Sequence, residues 1–169
     1  MPATSVNLIA GSVADRPRNS CEGDWVLPDN RTWLVWEPRM LSVLRFVAGL
    51  AFLDHGTAKL FGFPPVAMFA HLHLASLLGV QGVIELVGGA LVCIGLFTRP
   101  AAFILSGDMA VAYFMVHFPK SFFPAVNGGD AAILYCFIFF YVFVAGPGVW
   151  SLDRLLTPRS ARLSTAARV

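Results

Sequence analysis

The sequence predicts an all-α integral membrane protein, a four-helix bundle with a polar N-terminal tail and a basic C-terminal tail. Apolar residues make up 57% of its 169 residues and charged residues 13%, whereas soluble domains average about 45–50% and 25%. A soluble domain of this size could not bury so much apolar surface. Four apolar segments, each of about 18–23 residues, are long enough to cross roughly 30 Å of hydrocarbon as helices.

The N-terminal tail comprises residues 1–38 and is polar. It has no early apolar run, so the sequence does not predict an ordinary secretory signal peptide. Trp25, Trp33 and Trp36 lie near its end, and tryptophans before a hydrophobic helix often lie among the lipid headgroups. We therefore expect residues 31–39 to form an interfacial lead-in.

The transmembrane domain is expected over residues 39–150. Its four helices are predicted near residues 40–62, 75–97, 100–118 and 128–147. Long apolar runs without polar alternation favour helices over the strands of a barrel. Pro64 ends the first helix, Pro100 begins the third, and Gly146 with Pro147 ends the fourth.

The distribution of basic residues predicts the orientation of these helices. Arginines flank the first helix, occupy the turn between the second and third, and recur in the tail over residues 151–169. The opposite side has only Lys59 and Lys120 among lysines and arginines. Because cytoplasmic loops are enriched in Lys and Arg, we expect a multi-pass protein of a bacterial inner membrane with both termini in the cytoplasm. The net charge of +2 is too small to suggest a nucleic-acid partner.

Ionisable residues inside the predicted helices indicate a buried site. Each costs at least about 2.5–3.5 kcal/mol in the apolar zone, and residues at one depth can share that cost by pairing. Counted from the predicted cytoplasmic face, His55 and Glu85 both lie about 21 Å up, His117 about 25 Å and Asp108 about 12 Å. The predicted polar site, which would handle protons or bind a quinone, comprises Arg45, His55, Lys59, Glu85, Asp108, His117 and Asp130.

Glu85 is expected to face the inside of the bundle. Gly82 shares its helix face, and small residues let a neighbouring helix approach closely. The predicted partner of Glu85 is Lys59 or Arg45, of which Lys59 lies nearer in depth. Other interpretations stay open: an ion pair that only fixes helix register, an Arg45 that snorkels to the interface, and an Asp130 that only stabilises a helix N-terminus.

The sequence leaves the cofactor open. His55 and His117 come from different helices at similar depth, an arrangement that could hold a haem or a metal. No ligand set accompanies them and the three cysteines form no CxxC pair, so neither a metal site nor a covalently bound cofactor is predicted. Aromatic walls such as "YCFIFFYVF" with a few polar groups suit a quinone. Because no P-loop, GxGxxG, HExxH or GxSxG motif is present, catalysis by the chain alone is not indicated.

The sequence resembles the DoxX family of small four-helix membrane proteins. The matching stretches, within about residues 41–156, are "LRFVAGLAFLDHGTAKLFGF", "GVIELVGGALVCIGLFTRPAAFIL", "MAVAYFMVHFPKSFFPAVNGGDAAILY" and "GPGVWSLDRLL". By this resemblance, the family's recurring polar positions are Arg45, His55, Lys59, Glu85 and Asp130. Asp130 stands where the family often has Glu, so the carboxylate is kept on a shorter side chain. The N-terminal tail has no counterpart.

The resemblance implies a redox-associated membrane subunit, since the family name comes from a subunit linked to a terminal quinol oxidase and to thiosulfate:quinone oxidoreduction. The first hypothesis is a subunit of a quinone-linked oxidoreductase complex, with the redox centre on a partner. The second is a non-catalytic scaffold whose buried charges fix the bundle and dock a larger complex. Expected partners are the lipid bilayer and a larger membrane complex or a homo-oligomer. A transporter is disfavoured, because four helices without an inverted repeat leave little machinery for alternating access.

Overall fold

The structure, a computed structural model, describes residues 30–69 and 72–157, with side chains from residue 33 onward. The helices in chain order are α1 (Asn30–Phe61), α2 (Leu77–Ile94), α3 (Thr98–Ala112), α4 (Pro124–Asn127), α5 (Asp130–Ala145) and α6 (Leu152–Leu156). A π-helical turn, Tyr113–His117, continues α3, and a short 3-10 turn covers Ala67–Phe69. These described residues contain no strand, which confirms the predicted all-α class for this part of the chain.

Two helical segments of the described chain have the length and apolar composition to cross a membrane. They are Leu77–Ile94 and Thr98–His117. α5 is apolar but has only 16 residues. α1 has 32 residues, with Arg45, Asp54 and Lys59 among its apolar positions.

The first helix begins earlier than the sequence indicated. α1 starts at Asn30 and runs through Pro38, so the part of the predicted lead-in that follows Asn30 is helical and continuous with the first predicted span. Trp33 and Trp36 lie on this extension and are both exposed. The segment contains no glycine and no cluster of turn-forming residues, and its one proline, Pro38, lies inside the helix without ending it. Trp25 and the tail beyond residue 157 lie outside the described residues.

Glycines bring α1 and α2 into close contact. A Cβ atom added at Gly49 would lie 2.6 Å from the backbone nitrogen of Cys93, and one added at Gly56 would lie 2.5 Å from that of Leu86. Small residues of this kind let the backbones of two helices come into direct contact. This approach fixes the register that sets the last turn of α1 beside the middle of α2.

The core lies where α1, α2, α3 and α5 meet. Phe52 packs edge-to-face on Phe139, with ring centroids 4.6 Å apart, and both rings are fully buried. Leu105 of α3 is also fully buried in this cluster. Ser106 donates a hydrogen bond of 2.9 Å to the Cys136 carbonyl, which ties α3 to α5 across the apolar core.

Candidate functional site: the Lys59–Glu85 cavity

Lys59 and Glu85 form a buried ion pair between α1 and α2. Lys59 Nζ lies 2.7 Å from Glu85 Oε1, and the two side chains are 7% and 3% exposed. A Cβ atom at Gly82 would lie 3.0 Å from the Cβ of Lys59, so the glycine one turn before Glu85 leaves room for the lysine. Of the two cations that the sequence offered, the structure pairs Glu85 with Lys59.

The ion pair borders a cavity of about 240 Å³, here called the Glu85 cavity. Its polar lining comes from His55, Lys59, Gln81, Glu85 and His117. Its aromatic lining comes from Phe52, Phe69 and Tyr135. Residues from four helical segments, between positions 52 and 135, therefore face one small space of mixed character. Such an arrangement, a mostly apolar concavity with a few convergent polar groups, is typical of a small-molecule site.

One oxygen of Glu85 has no hydrogen-bond partner. Oε1 accepts from Lys59, whereas Oε2 is buried and unpaired. Buried polar atoms are nearly always hydrogen-bonded, because an unpaired one costs about 1–3 kcal/mol. Oε2 is therefore enclosed next to the ion pair without a hydrogen bond of its own.

His117 reaches the cavity from the π-helical turn that continues α3. Its Nδ1 lies 3.0 Å from the backbone oxygen of Asn127. The Asn127 side chain in turn donates to the Ser121 carbonyl at 2.8 Å and accepts from the Gly129 amide at 2.7 Å. The loop between α3 and α5 is thereby held against the imidazole. π-Helical turns are frequent at functional sites.

Asp108 lies in a neighbouring space, here called the Asp108 groove. This groove of about 300 Å³ lies between α2 and α3, and apart from Gln81 and Asp108 its lining is apolar. It shares Leu78, Gln81, Ala112 and Val116 with the Glu85 cavity. Asp108 Oδ2 is buried without a partner. Glu85 and Asp108, which line the two adjoining spaces, thus each have one buried carboxylate oxygen without a partner.

Arg45 does not belong to this site. It is 2% exposed and donates to the carbonyls of Val92 and Cys93 in the last turn of α2. It also donates to Pro147 at 2.9 Å and Trp150 at 2.6 Å. All of these acceptors lie at the opposite end of the bundle from Lys59. The structure therefore corrects both expectations for Arg45, since it neither joins the polar cavity nor snorkels.

The remaining predicted residues fall into two groups. His55 lines the Glu85 cavity, with its ring centroid 6.2 Å from that of Phe52, although the residue as a whole is exposed. Asp130 is exposed in the first turn of α5 and does not line the cavity, although the adjacent Ala131 does. Among the described residues, no three His, Cys, Asp or Glu side chains come together as a metal site.

Three further residues were not predicted from the sequence. Gln81 lines both spaces, and its position one turn before Glu85 on the same helix face could have revealed it. Asn127 was interpreted only as part of a helix break. Asp153 accepts from the amides of Phe97 and Thr98, at 2.8 and 2.9 Å, and so caps α3; nothing in the sequence pairs these distant positions.

The fold and the cavity together define a small helical membrane protein with an ion pair buried between two of its helices. The chain belongs to the DoxX family, whose pattern matches residues 40–118. It is 44% identical over 122 residues to an uncharacterized protein of Haemophilus influenzae, covering 70% of this chain and 91% of that protein. It is 32% identical over 148 residues to an uncharacterized membrane protein of Mycobacterium tuberculosis, covering 73% and 85%. No solved structure matches the chain.

Proposed function

We propose that the chain is an inner-membrane subunit of a quinone-linked oxidoreductase complex and that the Glu85 cavity binds the quinone ring. In this proposal α1, α2, α3 with its π-helical turn, and α5 cross the membrane, and both termini are cytoplasmic. A partner subunit exchanges electrons with the quinone. The membrane setting is supported by the family and by the two apolar segments long enough to span.

The observation that carries this proposal is the incompletely bonded ion pair beside a cavity. Burying Lys59 and Glu85 away from water is costly, and ionisable groups inside a membrane domain are functional candidates by default. Lys59 Nζ has further N–H groups that can donate to a ring carbonyl. Phe52 and Tyr135, with ring centroids 5.0 Å apart, supply an aromatic wall for the ring.

The Asp108 groove supplies a path for the apolar chain of such a ligand. It adjoins the Glu85 cavity through shared lining residues. Val80, Ile104 and Val111 line it and are each about half exposed on the outer surface of the helices. In a bilayer this surface would face lipid, so an isoprenoid chain could lie there while the ring reaches Glu85.

In this proposal the ionisable groups around the cavity exchange protons with the bound ring. A carboxylate, an ammonium and an imidazole at one site can accept and release protons when the ring is reduced or oxidised. Glu85 and His117 are separated from each other in sequence but share the cavity wall. In this proposal the chain's own residues bind the ring and exchange its protons, while the electrons move to or from the partner.

The test is quinone binding by the full chain purified in mild detergent. Lipid extracts of the wild-type protein are expected to contain quinone, and Glu85→Gln and Lys59→Met are each expected to lose most of it. Asp130→Asn, which changes an exposed carboxylate outside the cavity, is the matched control and should keep it. Unchanged quinone content in both cavity variants would refute the site.

A scaffold function is the second candidate, and one observation favours it. Leu155 and Leu156 of α6 are 77% and 68% exposed, and α6 lies at the end of the bundle where Asp153 caps α3. Such an apolar surface would suit docking of a partner subunit. Pull-down from native membranes discriminates between the candidates: loss of partner in Leu155→Ser/Leu156→Ser, with quinone binding absent from the wild type, would favour the scaffold.

A further inference from the structure

His117 contacts the loop between α3 and α5 through one of its two ring nitrogens. Nδ1 lies 3.0 Å from the backbone oxygen of Asn127. A carbonyl oxygen can only accept a hydrogen bond, so Nδ1 carries a proton in this contact. Because a neutral imidazole has a single N–H group, the nitrogen that can gain or lose a proton while this contact is kept is Nε2.

The second ring nitrogen, Nε2, is open to contact. Within the described residues it has no hydrogen-bond partner, and it is not among the enclosed side-chain atoms that lack one, which are Glu85 Oε2, Thr98 Oγ1 and Asp108 Oδ2. His117 as a residue is half-buried and lines the Glu85 cavity. Nε2 is therefore an unpaired polar atom with accessible surface, in contrast to the enclosed Oε2 of Glu85.

Asn127 holds the carbonyl that sets this arrangement. The residue is only 5% exposed, and its side chain donates to the Ser121 carbonyl at 2.8 Å and accepts from the Gly129 amide at 2.7 Å. One side chain thus ties together the chain on both sides of it and restrains the position of the Asn127 backbone oxygen. A Cβ atom at Gly129 would lie 2.7 Å from Asn127 Oδ1, so this close approach requires glycine.

His117 Nε2 can bind both redox forms of a quinone ring. In the neutral imidazole it accepts from a hydroxyl group of the reduced ring, and in the protonated imidazole it donates to a carbonyl group of the oxidised ring. One hydrogen bond can therefore pass a proton in either direction, as a general acid or base requires. The ammonium of Lys59 can only donate, so it can hold a ring oxygen but cannot take a proton from it.

His55 lacks the contact that distinguishes His117. It also lines the Glu85 cavity, but among the described residues no hydrogen bond fixes which of its ring nitrogens carries the proton. His55 therefore serves as an internal comparison for His117.

We propose that His117 Nε2 exchanges a proton with the bound ring, and that Asn127 is the positioning residue that keeps the other imidazole proton on Nδ1. When the ring is oxidised, the O–H bond of a ring hydroxyl breaks, its electron pair stays on the ring oxygen, and an Nε2–H bond forms. The electrons of the ring leave separately, to a redox centre of the partner subunit. This inference rests on the proposed function, because it assigns the proton-exchanging atom of the same site.

The tautomer of His117 is tested by nitrogen NMR of the full chain, with isotope-labelled histidine, in lipid nanodiscs without added ligand. The spectrum distinguishes a protonated ring nitrogen from a bare one, and the signals missing in His117→Asn are those of His117. We expect the neutral His117 ring to carry its proton on Nδ1. A neutral ring protonated at Nε2 would overturn the inference, whatever the result for quinone binding.

The role of Asn127 is tested in the same spectrum. Asn127→Ala removes both side-chain bonds that restrain the carbonyl, so the neutral His117 ring should become a mixture of the two tautomers, while the signals of His55 should not change. A His117 ring that is still protonated only at Nδ1 would refute the positioning role. Asn127→Asp keeps the acceptor of the Gly129 amide but loses the donor to the Ser121 carbonyl, and the same change is expected there if Asn127→Ala does not fold.

The contact between Nε2 and the ring is tested by the affinity of the full chain for decylubiquinol. The quinol is kept reduced under anaerobic conditions, and its dissociation constant is measured by equilibrium dialysis. In His117→Asn the amide nitrogen is the same number of bonds from the backbone as Nδ1, so this variant keeps a donor to the Asn127 carbonyl and removes only Nε2. It should unfold at the wild-type temperature and bind decylubiquinol about tenfold more weakly.

Asp130→Asn is the control for this measurement and should keep the wild-type affinity. Unchanged affinity in His117→Asn would overturn the inference and leave the proposed function standing. Absence of binding by the wild type would refute the proposed function together with the ligand contact, and the spectrum would still decide the tautomer.

Discussion

The two ends of the bundle bury charge in opposite ways. At one end, here called the Arg45 end, the guanidinium of Arg45 donates to carbonyls from α2 and from the segment after α5. Arg99, which is exposed, also donates at this end, to the Phe143 and Val144 carbonyls in the last turn of α5. At the other end, here called the Lys59 end, Glu85 has one bond to Lys59 and an unpaired oxygen beside a cavity.

This difference teaches that burial of a charge does not by itself indicate a binding site. Arg45 is as deeply buried as Glu85, but its N–H groups donate to carbonyls in the last turn of α2 and in the segment after α5. At the Lys59 end the hydrogen bonding of Glu85 is incomplete, and the residue lines a cavity. The proposed ligand site is therefore distinguished from the Arg45 network by incomplete hydrogen bonding beside a cavity, and not by burial.

The largest expected effect on the free energy of unfolding comes from a substitution at the Arg45 end. Arg45→Met removes all donors to four carbonyls and should lower the free energy of unfolding by about 4 kcal/mol or more, since a hydrogen bond to a charged group contributes about 1.5–3 kcal/mol. Denaturant titration in detergent micelles measures it. Arg154→Met, which changes an exposed arginine, is the control. A loss below about 1 kcal/mol would show that the Arg45 network is not structural.

Single and double substitutions at the Lys59 end should have different effects on the free energy of unfolding. Lys59→Met leaves Glu85 buried without its cation and should destabilise the protein by about 3 kcal/mol, whereas Lys59→Met/Glu85→Met should be close to wild type or more stable. The same titration measures both variants. If the double variant were as unstable as the single one, the ion pair would be a structural element like Arg45.

The contact between α1 and α2 sets the position of Lys59. A substitution in this contact is expected to change the free energy of unfolding by a smaller amount. Gly56→Ala forces a methyl group against the backbone of Leu86 and should cost about 1–3 kcal/mol. Gly107→Ala is the matched control, because a Cβ atom at this helical glycine meets nothing within 4 Å; this variant should be neutral or slightly stabilising. Equal effects of the two changes would contradict the close approach.

The smallest expected effect concerns the cap of α3 at the Arg45 end. Asp153→Ala removes the acceptor of the Phe97 and Thr98 amides and should cost about 0.5–2 kcal/mol, the usual range for a lost N-cap. Glu37→Ala, which changes an exposed carboxylate in α1, should change stability by no more than about 0.5 kcal/mol. Thermal unfolding followed by circular dichroism compares the two variants, and a cap variant as stable as the control would contradict the capping contact.

The sequence predicted the helices whose bounds are set by nearby residues in the chain. Apolar runs bounded by proline and glycine placed α2, α3 with its π-helical turn, and α5 near their observed positions. Counting residues at a fixed rise placed Lys59 and Glu85 at a similar depth, because helix geometry converts sequence separation into height. The glycine on its helix face predicted that Glu85 faces the inside of the bundle, whereas its partner was left open between Lys59, which lies nearer in depth, and Arg45.

The sequence could not predict contacts whose partners are backbone atoms or distant loops. Arg45 bonds to carbonyls 47 to 105 positions away, and every residue has a carbonyl, so no residue type marks the acceptor. The π-helical turn that carries His117 has no signature in composition. The contact between His117 and Asn127 depends on how the intervening loop folds back, which spacing alone does not determine.

The most direct test of the account is the shift in the thermal unfolding midpoint when a short-chain quinone, decylubiquinone, is added to the folded protein. A ligand that binds only the native state raises this midpoint by mass action. We expect a clear rise for the wild type and for Arg154→Met, and no rise for Lys59→Met/Glu85→Met, although that double variant should be at least as stable without ligand. An equal rise in the double variant, or no rise in the wild type, would contradict the central claim that the Lys59 end is built for a ligand rather than for stability.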